Sequence, residues 1–538
     1  MKNKTHMNRL RYFTLAAMLL LPLASLHAAE PRPDQSSAPV PERTADPRPN
    51  LVFVFSDQQS SDMLGCYGNK QVISPNLDRL AAQGVRFNHC ISSAPICTPY
   101  RGMLLSGQHP LRNGAFENDV RMLPGDGKYF GEVLRDNGYR LGYYGKWHLY
   151  GGDRNRPVPP GPYRYGFDHE FVINNCTLDY NKEHAFYWDA NGKKQLYGDW
   201  EPYAQTRQAM QFIDQHAEKP FALFLSWHPP HNWPGGHEGY AAPDDCLKLY
   251  GPARVQLRAN VEDTLKNRKI YQGHMAMITS IDRAFGWLMA KLEEKGLANR
   301  TIVVFTSDHG DTLFSHGFAH NKMRPEQESI RVPLIIRYPP LLKPRASELL
   351  VGTLDLMPTL LGMMKIPIPE TCEGQNLTRA MAESRDDAVE SVPLFLTPLN
   401  FRGLYTHRYT YSFDTSAGTA AQYREMFFSK PKGVQWNCLY DRSTDPAEIN
   451  NLFASPQHQE VRELLHQQTL NWMGRLGDQG QPYETVIQTL FTAEDRRFRQ
   501  QKNWDAFTGI LKGRPIDLLK QTENSTNSSS IPSSGIKR

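Results

Sequence analysis

The sequence predicts an α/β fold: a large, mainly parallel sheet with helices on both faces, joined to a smaller C-terminal α+β module with an antiparallel sheet. Three observations predict it. Short, continuously apolar runs rich in β-branched and aromatic residues mark strands buried on both faces. Stretches of helical length alternate with them, as crossover connections between parallel strands require. Asp57, Lys146, His148, His231 and Asp308 each fall within a few residues after such a run, at the edge where open sheets collect ligands.

The elements follow in order. Asn50 to Phe55 (Asn-Leu-Val-Phe-Val-Phe) is a buried strand that stops at Ser56-Asp57-Gln58-Gln59. Ser74 to Gly84 carries a Ser N-cap, Pro at the first helical position and a terminal Gly, the marks of a helix. A second helix starts at Cys97, a third spans Lys128 to Gly138, and the strand Tyr139 to Tyr144 leads into Gly145-Lys146-Trp147-His148. Residues 151–200, rich in Gly, Pro, Asn and aromatics without periodicity, are expected as loops over the ligand edge. The helix Tyr203 to Ala217 and the strand Pro220 to Trp227 follow, emptying into His228-Pro229-Pro230-His231. A long helical region, Val261 to Lys295, feeds the strand Arg300 to Thr306 and then Ser307-Asp308-His309-Gly310. Val332 to Tyr338 is a further strand and Leu354 to Met364 a helix. Beyond about Ser391 the texture changes: Phe401 to Phe413, Gln422 to Ser429 and Val434 to Tyr440 read as antiparallel strands and Pro456 to Leu476 as a helix.

The resulting division is a leader (1–29), a flexible linker (30–48), the large α/β domain (49–390), the α+β module (391–520) and a disordered Ser/Asn-rich tail (521–538). The leader has four bases ahead of the apolar run Tyr12 to Leu26 and small residues at Ala28-Ala29, the plan of a secretory signal. An exported chain, periplasmic or secreted, is expected, with no transmembrane anchor. Those four bases account for most of the formal charge of +5, leaving +1, so nothing indicates a nucleic-acid partner. Seven cysteines leave one odd thiol; the other six could pair, but a core of this size needs no disulfide support.

The central stretch is Cys97-Thr98-Pro99-Tyr100-Arg101, continuing Gly102-Met103-Leu104-Leu105-Ser106-Gly107. Pro99 suits a first helical turn, so Cys97 stands at a helix N-terminus, and Arg101, four residues on, shares its face. A guanidinium there offers a fork of donors to a tetrahedral oxyanion. This run resembles the sulfatase signature, Cys-x-Pro-x-Arg followed by Leu-Leu-x-Gly. Further stretches resemble the family in order: Phe55-Ser56-Asp57-Gln58, Gly145-Lys146-Trp147-His148, Pro230-His231, Thr306-Ser307-Asp308-His309-Gly310, and Lys322 with Glu328-Ser329-Ile330-Arg331-Val332-Pro333. Asp355-Leu356-Met357-Pro358-Thr359 and Leu439-Tyr440-Asp441 through Asp445-Pro446 look like its later landmarks.

The resemblance implies a sulfuric ester hydrolase acting on a sulfated carbohydrate, with Cys97 oxidised to Cα-formylglycine by a formylglycine-generating maturation enzyme. Asp57, Gln58, Asp308 and His309 would bind a divalent cation, Ca²⁺ by family habit, with Mg²⁺ or Mn²⁺ as alternatives. His309 departs from the Asn frequent at its place; imidazole suits transition metals better, so it would otherwise lie behind the ligands or donate to sulfate. One hydroxyl of the hydrated aldehyde, a geminal diol, would attack sulfur, with Asp308 accepting its proton. Arg101, Lys146 and Lys322 would hold sulfate oxygens, His231 assisted by Lys322 would protonate the leaving alcohol, and His148 would take the proton of the second hydroxyl. Asn118, Asp119 and Arg324 are candidates for contact with the sugar, along with the aromatic-rich 163–188 region. Taken singly, the lysines read better as solvated charges and the histidines as core residues; their ordered set reverses that reading. Two alternatives stand beside this reading: a phosphonate or phosphodiester hydrolase of the same superfamily, and a non-catalytic glycan-binding protein with an unmodified Cys97.

Overall fold

The computed structural model describes residues 46, 48–151, 154–177, 179–233, 239–317, 322–396, 401–415 and 436–480. The expected leader, nearly all of the linker, the strand 422–429 and the tail 521–538 lie outside the described residues.

Eleven strands form the main sheet: β1 (Asn50–Asp57), β2 (Val85–Ile91), β3 (Arg140–Lys146), β4 (Glu170–Asn174), β5 (Phe186–Trp188), β6 (Lys194–Leu196), β7 (Phe221–Pro230), β8 (Thr301–Ser307), β9 (Arg331–Val332), β10 (Leu334–Arg337) and β11 (Arg345–Gly352). Their order is β11-β2-β10-β8-β1-β7-β3-β4-β5-β6, with β9 paired to β2. The centre, β8-β1-β7-β3-β4, is parallel throughout. β10 runs antiparallel to both its neighbours, and β5 and β6 add antiparallel strands at the far edge.

Successive residues of β1 point to opposite faces: Leu51, Phe53 and Phe55 join one apolar cluster, Val52 and Val54 the other. The first cluster is covered by the helices Cys97–Ser106, Phe130–Asp136 and Thr353–Met363, through side chains such as Tyr100, Leu104, Phe130, Met357 and Leu361. The helices Pro75–Gln83, Glu201–His216 and Leu265–Glu294 cover the second, with Leu77, Phe212, Ile213, Ile281 and Phe285. Burial on both faces is why these strands carry no polar alternation.

Several expectations need correcting. Residues 151–200 contain β4, β5 and β6 rather than loops alone. The strand expected at Val332 to Tyr338 is broken at Pro333 into β9 and β10. Ser74 does not cap its helix through its hydroxyl, which lies against the Gly65 N–H (3.0 Å) and Asp78 (3.2 Å). The seven cysteines, in keeping with a core that needs no disulfide support, are free thiols.

The smaller antiparallel sheet orders β12 (Ser391–Leu396), β13 (Phe401–Thr406), β14 (Tyr409–Asp414) and β15 (Cys438–Asp441) in sequence. Tyr411, Leu439 and Leu465 pack it against the helix Gln459–Leu476, while Leu394, Phe401, Tyr405 and Trp436 join the first main-sheet cluster. No helix among the described residues is long and apolar enough to cross a membrane.

Candidate active site

Strand register brings the polar residues together. Ser56 pairs with Ser307, Phe55 with Ser226, and Ser226 in turn with Gly145, so Asp57 and Asp308 emerge side by side from two strands, with Lys146 one residue behind them on a third. Gly145 is required here: at φ 106° a Cβ would stand 2.0 Å from the Ser226 carbonyl. Gln58 and His148 follow the strand ends with φ of 66° and 56°, a strained left-handed conformation for non-glycine residues that recurs at functional sites. For His148 it is imposed by its N–H donating to Asn175 O (2.6 Å) and by Thr98 Oγ1 donating to its carbonyl (2.7 Å).

Cys97 arrives on its helix. The first backward bond of that helix is Tyr100 N–H to Ile96 O (3.1 Å), so Pro99 occupies a turn whose N–H groups have no intrahelical partner. The Cys97 Sγ lies 3.3 Å from His309 Nε2, 3.4 Å from Lys146 Nζ, 3.6 Å from Lys322 Nζ and 3.7 Å from Asp57 Oδ1. Burial and Asp57 push its thiol up, but Lys146, Lys322 and His309 outweigh them and bring it well below the ordinary range. Position 97 therefore favours a negative group.

Arg101 was expected to hold sulfate and instead lies beneath the site. Its Nη1 donates to Lys146 O (2.8 Å) and Ser226 Oγ (2.7 Å), and its Nη2 to Asp57 Oδ2 (3.2 Å) and Asp308 Oδ2 (3.1 Å). With both terminal nitrogens engaged and 1% exposure, it clamps the two carboxylates. Lys146 Nζ also donates to Asp57. Burial opposes the Asp57 charge, but Lys146, foremost among the cations around it, and Arg101 hold the carboxyl well below its usual range. Asp308 is pushed up to about 6 by burial and by Asp57 beside it.

These residues fit a divalent cation. Ligand atoms of Asp57, Cys97, Asp308 and His309 all lie within 4.8 Å of one another. His309 Nδ1–H donates to Gly310 O (2.9 Å), which leaves Nε2 facing Asp57 and Asp308 at 3.6 Å each; burial disfavours its charge but Asp308 beside it raises the imidazole, and a cation in the cluster would take the Nε2 lone pair in place of that proton. Gln58 Nε2 faces Asp311 (2.9 Å) and Asn232 (3.2 Å), and Oε1 is buried with no hydrogen-bond partner among the described residues, an orphaned oxygen of the kind a cation satisfies.

The other candidates divide. His231 Nδ1–H donates to Asn232 O (2.6 Å) and its Nε2 accepts from Lys322 Nζ (2.8 Å); burial and Lys322 keep it well below the ordinary value, hence neutral. His148 Nε2–H donates to Asp119 (3.0 Å). Burial disfavours its charge, but Cys176 and the Asp119 hydrogen bond raise it to about 10. Asp119 is thus an orienter of His148, tied in turn to Arg154 at 2.7 Å and 2.5 Å. Asn118 accepts the Thr98 N–H (2.9 Å) at the start of the Cys97 helix. Arg324, 1% exposed, closes its fork on Glu326 at 3.0 Å and 2.7 Å and packs over the Trp436 ring at 4.9 Å. All three sugar candidates are engaged inside the protein. Ser226, Asp311, Arg154 and Cys176 were not foreseen; each is defined only by a long-range contact, and no local motif marks it.

Comparison with known proteins gives concordant results. Residues 49–366 match the family described as Sulfatase, and residues 315–473 match N-sulphoglucosamine sulphohydrolase, C-terminal. An ulvan-active sulfatase of Formosa agariphila is 32% identical over 452 residues, covering 80% of this chain and 82% of that protein. An endo-4-O-sulfatase of Bacteroides thetaiotaomicron is 27% identical, covering 80% and 92%. A solved structure from work on the metabolism of multiple glycosaminoglycans by the same species superposes with a TM-score of 0.70 at 26% identity, over 82% of this chain and 98% of that one.

Proposed function

The chain belongs to the sulfatase family and is a sulfuric ester hydrolase, and from that premise we propose that it is an exported enzyme removing sulfate from carbohydrate chains, with residue 97 matured to formylglycine. What supports the reading most is the ring of two ammonium groups, an imidazole and a carboxylate within 3.3–3.7 Å of Cys97 Sγ. An oxygen nucleophile at residue 97 would meet a sulfuryl group in a pocket already compensated for its charge.

Formylglycine at this position supplies a hydroxyl nucleophile whose product can release sulfate by restoring the aldehyde, where a serine or cysteine ester would need a second displacement. Asp57, Gln58, Asp308 and His309 would hold the cation, Ca²⁺ in the first instance, which when bound polarises the sulfuryl oxygens and lowers the nucleophile's pKa. Arg101 keeps Asp57 and Asp308 at fixed spacing. Lys146 and Lys322 bind sulfate oxygens. Asp308, already near pKa 6, accepts the nucleophile's proton. The Lys322–His231 pair gives a proton to the departing alcohol. His148, held by Asp119, takes the proton of the second hydroxyl.

The test is sulfate release from a panel of defined sulfated monosaccharides by enzyme co-produced with a maturation system. Release from at least one sugar sulfate is expected; turnover confined to phosphonates or phosphodiesters would overturn the proposal.

A further inference from the structure

We infer that Arg121 forms an anion subsite next to the reacting centre, binding a second negatively charged group, a carboxylate or another sulfate ester, on the sulfated sugar chain. This rests on the sulfatase reading and narrows its substrate class.

Arg121 is only 4% exposed, yet it forms no ion pair and no hydrogen bond among the described residues, and its Nε is buried without a partner. Its guanidinium packs over two tyrosine rings, 4.6 Å from the centroid of Tyr150 and 4.3 Å from that of Tyr163, which meet edge to face at 5.5 Å. The other deeply buried arginines differ. Arg101, Arg324 and Arg402 are paired with carboxylates, and Arg164 spends its nitrogens on backbone carbonyls. Aromatic faces offset only part of what it costs to bury a guanidinium, so Arg121 is a desolvated, planar cation whose anion is missing from the chain.

Its position makes that anion a substrate group. Three residues before it, Asn118 holds the start of the Cys97 helix, and Asp119 holds His148. Three residues span at most about 11 Å. Met122 N–H donates to Leu149 O (3.1 Å), which lays Arg121 alongside Tyr150, two residues beyond His148. A sugar whose sulfate reaches residue 97 would carry its neighbouring substituents past this point. A guanidinium fork fits carboxylate or sulfate oxygens in pairs, and the tyrosines hold it flat before the ligand arrives, lowering the ordering needed on binding.

The experiment compares kcat and KM of the matured wild type, Arg121→Gln and Arg121→Lys on three matched substrates. One is a sulfated sugar with neutral neighbours, one adds an adjacent uronate, and one adds an adjacent second sulfate. For at least one doubly charged substrate, Arg121→Gln is expected to raise KM by roughly 10- to 100-fold, the range for charge-assisted hydrogen bonds, well beyond its effect on the singly charged one. Arg121→Lys should recover part of the loss, since it restores charge without the fork. The arm that loses its advantage identifies the group. Equal KM on all three substrates in the wild type, or equal losses in Arg121→Gln, would overturn the inference while leaving the sulfatase reading intact; absence of any sulfate release would overturn both. If Arg121→Gln does not fold, inhibition of the wild type decides: a free uronate should compete more strongly than its neutral parent sugar or, in the disulfated case, a sugar sulfate should, and equal inhibition by all would overturn the subsite.

Discussion

Replacing His231 by Ala is expected to damage hydrolysis of a sugar sulfate far more than that of a nitrophenyl sulfate. The magnitude follows from one contact. Lys322 Nζ donates to His231 Nε2 at 2.8 Å, and the imidazole's own N–H is committed to Asn232 O at 2.6 Å. His231 is therefore neutral at rest, and the proton a leaving oxygen receives is one that the lysine and histidine share. General-acid assistance is worth roughly 10²–10⁴-fold, or about 3–5 kcal/mol of barrier. A sugar alkoxide should forfeit most of this, whereas a nitrophenolate needs no proton and should lose no more than about tenfold. Lys322→Ala removes the same proton and also an ammonium 3.6 Å from Cys97 Sγ, so it should slow both substrates, the sugar sulfate more. Because the two residues act as one donor, the double variant should be scarcely worse than Lys322→Ala on the sugar sulfate. The assay is single-turnover hydrolysis of both substrates by matured enzyme. Equal losses on the two substrates for His231→Ala, or fully additive losses in the double variant, would refute the shared-proton assignment.

Asp57→Ala is expected to abolish turnover while preserving a cooperative melt. It leaves Lys146 and Arg101 buried beside one carboxylate, at a cost of about 3 kcal/mol, which a domain with a typical 5–15 kcal/mol of stability survives; loss of the cooperative transition would make Asp57 a structural residue instead. Chelation should lower the melting temperature, with recovery on adding Ca²⁺. His309→Asn should shift the metal preference away from Mn²⁺ toward Ca²⁺, and an unchanged order of stabilisation would remove His309 from the ligands. Asp282, whose carboxylate accepts the Asn76 and Leu77 N–H groups (3.0 and 2.8 Å), is raised by burial from 3.8 to about 6. A raised carboxyl favours the folded state below its unfolded pKa and loses that contribution as pH rises through the folded one. The stability difference between wild type and Asp282→Asn, from urea titrations, should therefore move against the wild type by up to about 3 kcal/mol between pH 4 and 6.5; a flat difference would contradict it.

The four central strands β1, β3, β7 and β8 were legible because burial on both faces leaves an unbroken apolar run. β2 and β11 were not. Val85–Ile91 interleaves Arg86, Asn88 and His89 with its apolar residues, and Arg345–Gly352 is polar in its first half. β5 and β6, three residues each, are too short for a period to register, and strand direction, which sets β10 antiparallel, leaves no trace in composition. At the site, Asp57, Lys146 and Asp308 could be read from their positions after strands. What Arg101 does could not. Spacing put it on the Cys97 face, but its partners Ser226 and Asp308 lie 125 and 207 residues away, and only the sheet register brings them beneath it. Asp119 likewise looked like a sugar contact until the chain placed His148 against it.

Formylglycine at residue 97 is the claim on which the rest depends, and the peptide Phe87–Arg101, released by trypsin, tests it directly because it also carries Cys90 as an internal control. Mass spectrometry of enzyme produced with a competent maturation system, read beside its rate of sulfate release, should find residue 97 as an aldehyde and Cys90 as a thiol, with activity proportional to the converted fraction. Two intact thiols in a fully active preparation would contradict the account.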